Sequence, residues 1–204
     1  MGNGNTSTIE VTSSTVPYTV GVTQGRFAYY DEEAMQDDSV VEAGLTGLAE
    51  KMVNDFNDKA VDEWEKATLI QYGCTWTFDD VVDALAKLDM ENEDGLFMLI
   101  SPTVVAEFRK NLNDDLKYAE GFARTGYIGS VCGVPVYVSK AIADDEAIIA
   151  HKEAVTLFIK KGVEREADRD ANTRKTTEYI RKVALVALTD ARKVVLLTED
   201  SDPG

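Results

Sequence analysis

The sequence of 204 residues has few of the side chains that build metal sites or covalent catalytic sites. It contains two cysteines, Cys74 and Cys132, and one histidine, His151. Two distant cysteines supply neither a CxxC ligand pair nor a disulfide framework, so we expect both to be reduced core residues. A nucleophile needs a neighbouring base, and His151 has no serine or cysteine near it in the sequence. We expect it to be a structural or surface histidine at the start of a strand.

Long apolar runs and positive charge are also scarce. No apolar run approaches the roughly 18 residues of a membrane span, and no basic region followed by a hydrophobic one marks the N-terminus. The sequence has 21 Lys and Arg against 37 Asp and Glu, a formal net charge of −16. Such a chain is repelled by polyphosphate. The composition therefore predicts a protein made in the cytoplasm that binds neither membranes nor specific nucleic acids.

The negative charge is unevenly distributed along the chain. Residues 31–100 carry 19 acidic and 4 basic residues, a net of −15, whereas residues 151–204 carry 10 acidic and 11 basic residues, a net of +1. With 44% hydrophobic and 28% charged residues, the chain has the composition of a globular protein. One part of the folded molecule should be strongly acidic and another nearly neutral.

Apolar residues at helical spacing predict a long helix over residues 39–66. They are Val41, Leu45, Leu48, Met52, Phe56, Ala60 and Trp64. This apolar stripe runs for about six turns, or roughly 35 Å, and Ser39 with Glu42 matches a capping box at the start of the helix. The opposite face is predicted to be wet and acidic, with Glu50, Asp55, Asp58, Asp62, Glu63 and Glu65. Gly44 and Gly47 each cost a helix about 1 kcal/mol relative to alanine, which suggests close packing at both.

Shorter elements flank this helix. Two strands are expected between Ile9 and Tyr30, because Val, Thr, Tyr and Phe are enriched there. After Gly73 the patterns predict a helix over 78–88 capped by Thr77, a strand at 96–100, a helix over 102–112 started by Ser101-Pro102, and a strand at 134–138 in which Pro135 favours a sheet edge. The first of these helices should bury Val81, Val82, Leu85 and Leu88. The final third predicts strands at 154–159, 163–167, 176–188 and 193–197, which should pair with the N-terminal strands.

Several groups of residues could suggest chemistry but have simpler explanations. The carboxylate groups at 31–33, 79–83 and 144–146 look like helix starts and solvated faces. Asp168, Asp170 and Asn172 resemble the start of an EF-hand loop, but Thr173 stands where that loop needs glycine and Tyr179 where it needs glutamate. A polar hairpin turn is the better interpretation. The sequence predicts no catalytic residue, no cofactor and no metal ion.

Four phrases in the C-terminal part resemble one known family. They are GSVCGVPVYVS at 129–139, HKEAVT at 151–156, VEREADRD at 163–170 and VALTD at 186–190. In this order, after a long capped helix, they resemble the major capsid proteins of tailed bacteriophages and prophages, with the Hong Kong 97-type fold. The resemblance implies an α+β fold with a long spine helix, a β-rich peripheral domain and an inserted mixed α/β axial domain. Residues 1–72 and 146–204 would form the peripheral domain, with the spine helix at 39–66, and residues 73–145 the axial domain.

The resemblance also implies a function. A capsid protein is a structural virion component and no enzyme; it is made in the bacterial host cytoplasm and associates laterally, as pentamers and hexamers, into an icosahedral head shell around DNA. Contacts would form at the axial loops, residues 91–95 and 126–129, and at exposed aromatics such as Tyr118 and Phe122. Only eight residues precede the first predicted strand, so the chain is expected to lack the family's N-terminal arm and much of its extended loop. By itself it could then be a monomer or a small oligomer.

Three other functions compete with this interpretation. An encapsulin-like shell would share the fold but enclose enzymes. A small cytosolic enzyme could use paired carboxylates with a divalent cation, and a metal-dependent thermal shift of a monodisperse small species would favour it. An acidic adaptor would capture one stoichiometric partner. Rings or shells seen by microscopy would favour a shell protein over the last two.

Overall fold

The computed structural model describes residues 15–37, 39–90, 93–111 and 129–201. The helices are α1 (Asp31–Gln36), α2 (Ser39–Trp64), α3 (Phe78–Leu88) and α4 (Pro102–Asn111), with a 3-10 turn at Ala191–Lys193. The strands are β1 (Gly21–Tyr30), β2 (Leu69–Gln71), β3 (Leu96–Ile100), β4 (Ser130–Val131), β5 (Val134–Val138), β6 (Glu146–His151), β7 (Val155–Asp170), β8 (Lys175–Leu188) and β9 (Val194–Thr198). These elements confirm the expected α+β fold.

The core lies around a six-stranded sheet in the order β2-β9-β6-β3-β5-β4. Its central strands are apolar throughout because helices cover both faces. Alternate residues point to opposite faces: Ile149, Val195 and Leu197 pack with α3 and α4, around Trp76 and Phe108. Ile148, Ala150, Val194 and Leu196 pack on the other face with the last turn of α2, at Val61 and Trp64.

A second, three-stranded antiparallel sheet has the order β1-β8-β7. Strands β7 and β8 form a long hairpin, with register irregularities in β7 between Ile159 and Glu164. Helix α2 lies across one face of this sheet, where Leu48 and Met52 bury Ile180 of β8. The expected pairing with the N-terminal strands is confirmed for β8, which pairs with β1 along the whole length of β1. It is wrong for the strand at 193–197, because β9 pairs with β2 and β6 in the six-stranded sheet.

The long helix begins and ends close to its predicted bounds, but its predicted cap is wrong. Ser39 is the first helical residue, and its backbone N–H donates to the Asp37 carboxylate at 2.9 Å. By contrast, the predicted start of α4 is confirmed, because Ser101 Oγ accepts the Val104 N–H at 3.1 Å. The start of α3 is also confirmed, with Thr77 Oγ1 and Asp80 joined at 2.8 Å.

Four further expectations about the elements differ from the structure. Residues 21–30 form one strand where the glycine at 25 suggested a break, and Ile9 lies outside the described residues. The strands predicted at 154–159 and 163–167 are one continuous strand, because irregularities absorb the extra residues around Gly162. In α3, Ala84 is buried and Val82 is exposed. Strand β5 is not an edge strand, because β4 pairs with Pro135 on its outer side.

The two sheets do not divide the chain at residues 73 and 145. Strands β2, β6 and β9 lie outside that range, yet they share the six-stranded sheet with β3, β4 and β5. The division into a peripheral domain of residues 1–72 and 146–204 and an axial domain of residues 73–145 therefore stays a prediction. What the structure adds is a junction at which the chain crosses between the sheets, after β6 and again after β8.

The glycines of α2 and β1 show where helix and sheet approach closely. A Cβ atom at Gly44 would overlap the Phe27 ring, and one at Gly25 would overlap the Leu48 side chain. Close packing was predicted at Gly44 and is confirmed there. At Gly47 the prediction is wrong, since a Cβ atom would meet nothing within 4 Å.

Alanine at these two helix positions should have opposite effects on stability. We expect Gly44→Ala to lower the free energy of unfolding by about 1–3 kcal/mol, because the Phe27 ring must move. Gly47→Ala should raise it by about 0.5–1 kcal/mol, because alanine is the better helix former in open space. Urea titrations of both variants measure this, and stabilisation by both substitutions would contradict the close approach at Gly44.

Candidate assembly surface

The edge strand β7 carries an exposed apolar segment, which we call the apolar edge and define as Leu157, Phe158 and Ile159. These side chains are 44%, 49% and 56% exposed. Three consecutive apolar residues on an edge strand present apolar surface on both faces of the sheet. Unpaired edges of this kind are templates for association with another chain.

The apolar edge continues onto the sheet face that α2 leaves uncovered. Phe158 is paired with Leu185, and Val22 of β1 is paired with Val183. Directly paired residues point to the same face, and Leu185 lies two residues beyond Val183. Phe158, Leu185, Val183 and Val22 therefore share this face and form a contiguous apolar surface. Val22 is 56% exposed, so the surface extends across all three strands.

The distal half of the same hairpin is charged and internally paired. Arg181 Nε donates to Glu164 at 2.7 Å, and Arg169 donates to Asp31 of α1 at 2.6 Å. Charged side chains and register irregularities protect an edge strand against pairing with another chain. We therefore expect any association through this sheet at its apolar, proximal half.

In one ion pair of the hairpin, the acidic partner is buried. Arg165 donates two hydrogen bonds to Glu178, each 2.9 Å long, and Glu178 is 3% exposed. The Arg165 guanidinium lowers the pKa of Glu178 in spite of its burial. This bidentate contact fixes the register between β7 and β8.

The sites that the sequence considered for chemistry have structural roles. His151 is the last residue of β6, not the start of a strand. It is buried, with Nε2 2.9 Å from the Asp94 carbonyl oxygen and Nδ1 accepting the Glu153 N–H at 3.2 Å. Asp170 accepts from Asn172 N–H and Thr173 Oγ1 at 2.8 Å each, which is the expected hairpin turn. Within the described ranges, His, Cys, Asp and Glu side chains form no group of three that could hold a metal ion.

The structure brings together carboxylates that the sequence did not connect. Burial, the neighbouring Glu65 and the acids Asp145 and Asp200 raise the pKa of Glu146. Burial, followed by Asp62, raises the pKa of Glu65. The group lies where the end of α2 meets the start of β6. It is a local concentration of negative charge at the base of the acidic helix face.

Glu63 does not lie on the wet face where it was expected. It is 8% exposed and its carboxylate is hydrogen-bonded to three groups. A signal for this existed, since Glu63 follows Phe56 by seven residues and therefore falls on the apolar stripe of α2. Glu50, Asp58, Asp62 and Glu65 are exposed as predicted, and Asp55 is half-buried.

Most of the expected contact residues lie outside the described residues. These are Tyr118, Phe122, Glu91 and the loop at 126–128. Gly95 is described and has a positive φ of 90° beside the His151 ring. Both cysteines are free thiols; Cys74 is buried, and burial raises its pKa to about 11, so it is unreactive. No helix in the described part of the chain is long and apolar enough to cross a membrane.

Comparisons with known proteins give matches among solved structures only. No family model matches the sequence, and no curated protein matches it. A structure from Mycobacterium phage Che8 aligns with a TM-score of 0.69 at 18% identity, covering 94% of this chain and 78% of that one. The capsid of cyanophage P-SCSP1u aligns with a TM-score of 0.68 at 13% identity, covering 97% and 80%. The SrpI encapsulin complex of Synechococcus elongatus PCC 7942 aligns with a TM-score of 0.69 at 11% identity, covering 90% and 75%. The chain therefore has the Hong Kong 97-type fold that phage capsid and encapsulin subunits share.

Proposed function

We propose that this protein is the major capsid subunit of a phage or prophage, which associates laterally into the head shell around DNA. The observation that carries the proposal is the fold itself, aligned over 94% of the chain with the Che8 structure. Pentamers and hexamers of the subunit would form the shell, and its place would be the virion after synthesis in the host cytoplasm. No step of this function requires a catalytic residue or a cofactor.

The contiguous apolar surface that begins at Phe158 of the apolar edge supports this proposal independently of the comparisons. A soluble monomer seldom leaves several large apolar side chains contiguous and exposed, and such patches mark interaction surfaces. Phe158, Leu185, Val183 and Val22 provide one on the uncovered sheet face. Because every subunit of a shell repeats the same contact, even a modest apolar contact gains strength by repetition.

The acidic face of α2 suits the side of a shell that meets packaged DNA. Glu50, Asp58, Asp62 and Glu65 are exposed there, and Glu65 lies beside the partly buried Glu146. Phosphates would be repelled from this face, so DNA could be held at high density without binding tightly to the wall. A shell structure with these acids wholly at subunit contacts would refute this orientation.

An encapsulin-like shell is the second candidate, and the likeness to the SrpI complex favours it. The two candidates differ in content: a capsid encloses DNA and an encapsulin encloses protein. The carboxylates around Glu146 are the feature that an enzyme would use. We rank an enzymatic function lower, because the described residues contain no group of three side chains that could hold a metal ion.

Light scattering with negative-stain microscopy of the purified chain tests the proposal. We expect concentration-dependent formation of rings or closed shells, and shells purified from the producing cell should contain DNA. Shells that hold one protein species and no DNA would support the encapsulin function instead. A monodisperse small species under all assembly conditions, with a thermal shift on adding Mg²⁺ or Mn²⁺, would contradict both.

A further inference from the structure

The residues before β1 form an exposed segment, which we call the strap and define as residues 15–20. The strap has no regular secondary structure and is exposed along its length. It is held at Tyr18, whose Oη donates to Glu63 Oε2 at 3.1 Å. Lys66 Nζ lies 6.0 Å from the centre of the Tyr18 ring. The Tyr18 side chain thus attaches the strap to the end of α2.

The acceptor of this bond is shared with another part of the fold. Glu63 Oε2 also accepts the backbone N–H of Leu188 at 3.1 Å, while Oε1 accepts from Lys66 Nζ at 2.5 Å. Burial opposes ionisation of Glu63, but hydrogen bonds from Lys66, Leu188 and Tyr18 outweigh it and lower the pKa of the carboxyl. Hydrogen bonds to an ionised acceptor are the stronger ones.

Leu188 marks the point where the chain leaves the three-stranded sheet. It is the last residue of β8, and the chain then crosses to β9 in the six-stranded sheet. Ala154, on the opposite crossing from β6 to β7, is fully buried, and its carbonyl accepts the N–H groups of Thr189 at 2.8 Å and Asp190 at 3.2 Å. We call Ala154, Leu188 and Thr189 the junction between the two sheets.

We propose that Glu63 is a latch that couples the strap to the junction, so that displacement of the strap loosens the attachment of the three-stranded sheet. One oxygen atom serves both Tyr18 and Leu188, and the Tyr18 hydroxyl holds the carboxylate where the Leu188 N–H reaches it. When Tyr18 leaves, the carboxylate loses its orientation and the junction loses a hydrogen bond. In a shell, a neighbouring copy that draws the strap away would release the latch; this trigger rests on the proposed function, whereas the coupling does not.

The variant Tyr18→Phe tests the coupling in the isolated chain. It keeps the ring and removes the donor. We expect proteinase K to cut within residues 15–20 about tenfold faster, the factor that one hydrogen bond to a charged group represents. Hydrogen exchange of the Leu188 amide should also accelerate several-fold, because this N–H faces both the Tyr18 hydroxyl and the Glu63 carboxylate that Tyr18 orients. Tyr179→Phe, on an exposed tyrosine of β8, is the matched control and should change neither rate. Faster cutting with unchanged exchange at Leu188, or no change in either, would overturn the latch.

A second variant, Glu63→Gln, tests the same idea through pH. In the unaltered protein the pKa of Glu63 is lowered, so its ionised form stabilises the folded state. This stabilisation is complete above the ordinary carboxyl pKa and is lost as the pH falls through the pKa of Glu63 in the folded state. Strap cutting and Leu188 exchange, corrected for intrinsic rates, should therefore rise together in acid. The charged and titratable groups around Glu63 are Tyr18 of the strap, Lys59 and Asp62 of α2, and Lys66 just after α2; the β8 residues that line this groove, Ala184–Val186, do not titrate.

The glutamine variant should lose this joint acid dependence while keeping a native circular dichroism spectrum. If it retained the full acid response, another group would be responsible and the latch would be wrong. These measurements need no assembled shell. Failure of the chain to assemble would count against the proposed function, while failure of Tyr18→Phe to affect Leu188 would count against the latch alone.

Discussion

Replacing Phe158 by aspartate should greatly raise the protein concentration needed for shell formation and leave the subunit folded. Phe158 is half exposed on the uncovered face of the three-stranded sheet, so a charge is tolerated in the monomer. Buried in a contact, the same charge would be desolvated without a partner. Loss of an aromatic anchor costs about 2 kcal/mol per contact, or roughly 30-fold in each contact's dissociation constant. Since every subunit repeats the contact, the concentration needed for assembly should rise by more than this factor. Light scattering against protein concentration measures it.

The matched control for Phe158→Asp is Val82→Asp. Val82 is 44% exposed on α3, in the other part of the molecule, so the two variants introduce the same charge at similar exposure. We expect Val82→Asp to assemble as the unaltered chain does. Equal loss of assembly in both would point to a general effect of added negative charge, and normal assembly of Phe158→Asp would remove the apolar edge from the contact surface.

The largest effect on stability is expected from Trp76→Ala. Trp76 is fully buried among the residues that pack on α3 and α4, with its ring centroid 6.0 Å from that of Phe108. Its backbone has a φ of 58°, a left-handed conformation that a bulky residue rarely adopts. The indole N–H donates to Glu199, and the backbone carbonyl accepts from Asn111 at 3.0 Å. These contacts hold the strained conformation in place, and alanine would keep the strain while losing the packing.

We expect Trp76→Ala to lower the free energy of unfolding by about 3–5 kcal/mol, as large-to-small substitutions of buried aromatics do. Phe78→Ala is the control: two residues away, Phe78 is 47% exposed, and its removal should change stability by about 0.5 kcal/mol or less. Chemical denaturation followed by far-ultraviolet circular dichroism reports both, because this signal does not depend on Trp76. A change below about 1 kcal/mol for Trp76→Ala would show that this region is not part of the cooperative core.

Elements with strong periodicity could be predicted from the sequence because the pattern itself determines them. The apolar stripe of α2 can be buried only on one side of a helix, and the run at 96–100 can be buried only as a strand covered on both faces. The order of these elements, together with the four sequence phrases between residues 129 and 190, was enough to predict the fold. Local start signals such as Ser101-Pro102 were equally reliable, since they depend on neighbouring residues alone.

Tertiary structure decided what depends on contacts between distant residues. Gly44 and Gly47 are indistinguishable in the sequence, and only the position of Phe27 makes one of them indispensable. The acidic Glu63 reads as part of a solvated face, yet Tyr18, Lys66 and Leu188 surround it with donors from three parts of the chain. The candidate contact surface was missed for the same reason, because Phe158, Leu185 and Val22 become neighbours only when β1, β8 and β7 pair. The sequence by itself determined the long helix and the strongly periodic helices and strands, because these follow from local periodicity, and the order of these elements with the phrases between 129 and 190 indicated the fold class. It did not predict the short helix α1 or the strands β2, β4 and β6. Burial of a charge, necessity of a glycine and continuity of an apolar surface are properties of long-range pairing, so only the folded chain could decide them.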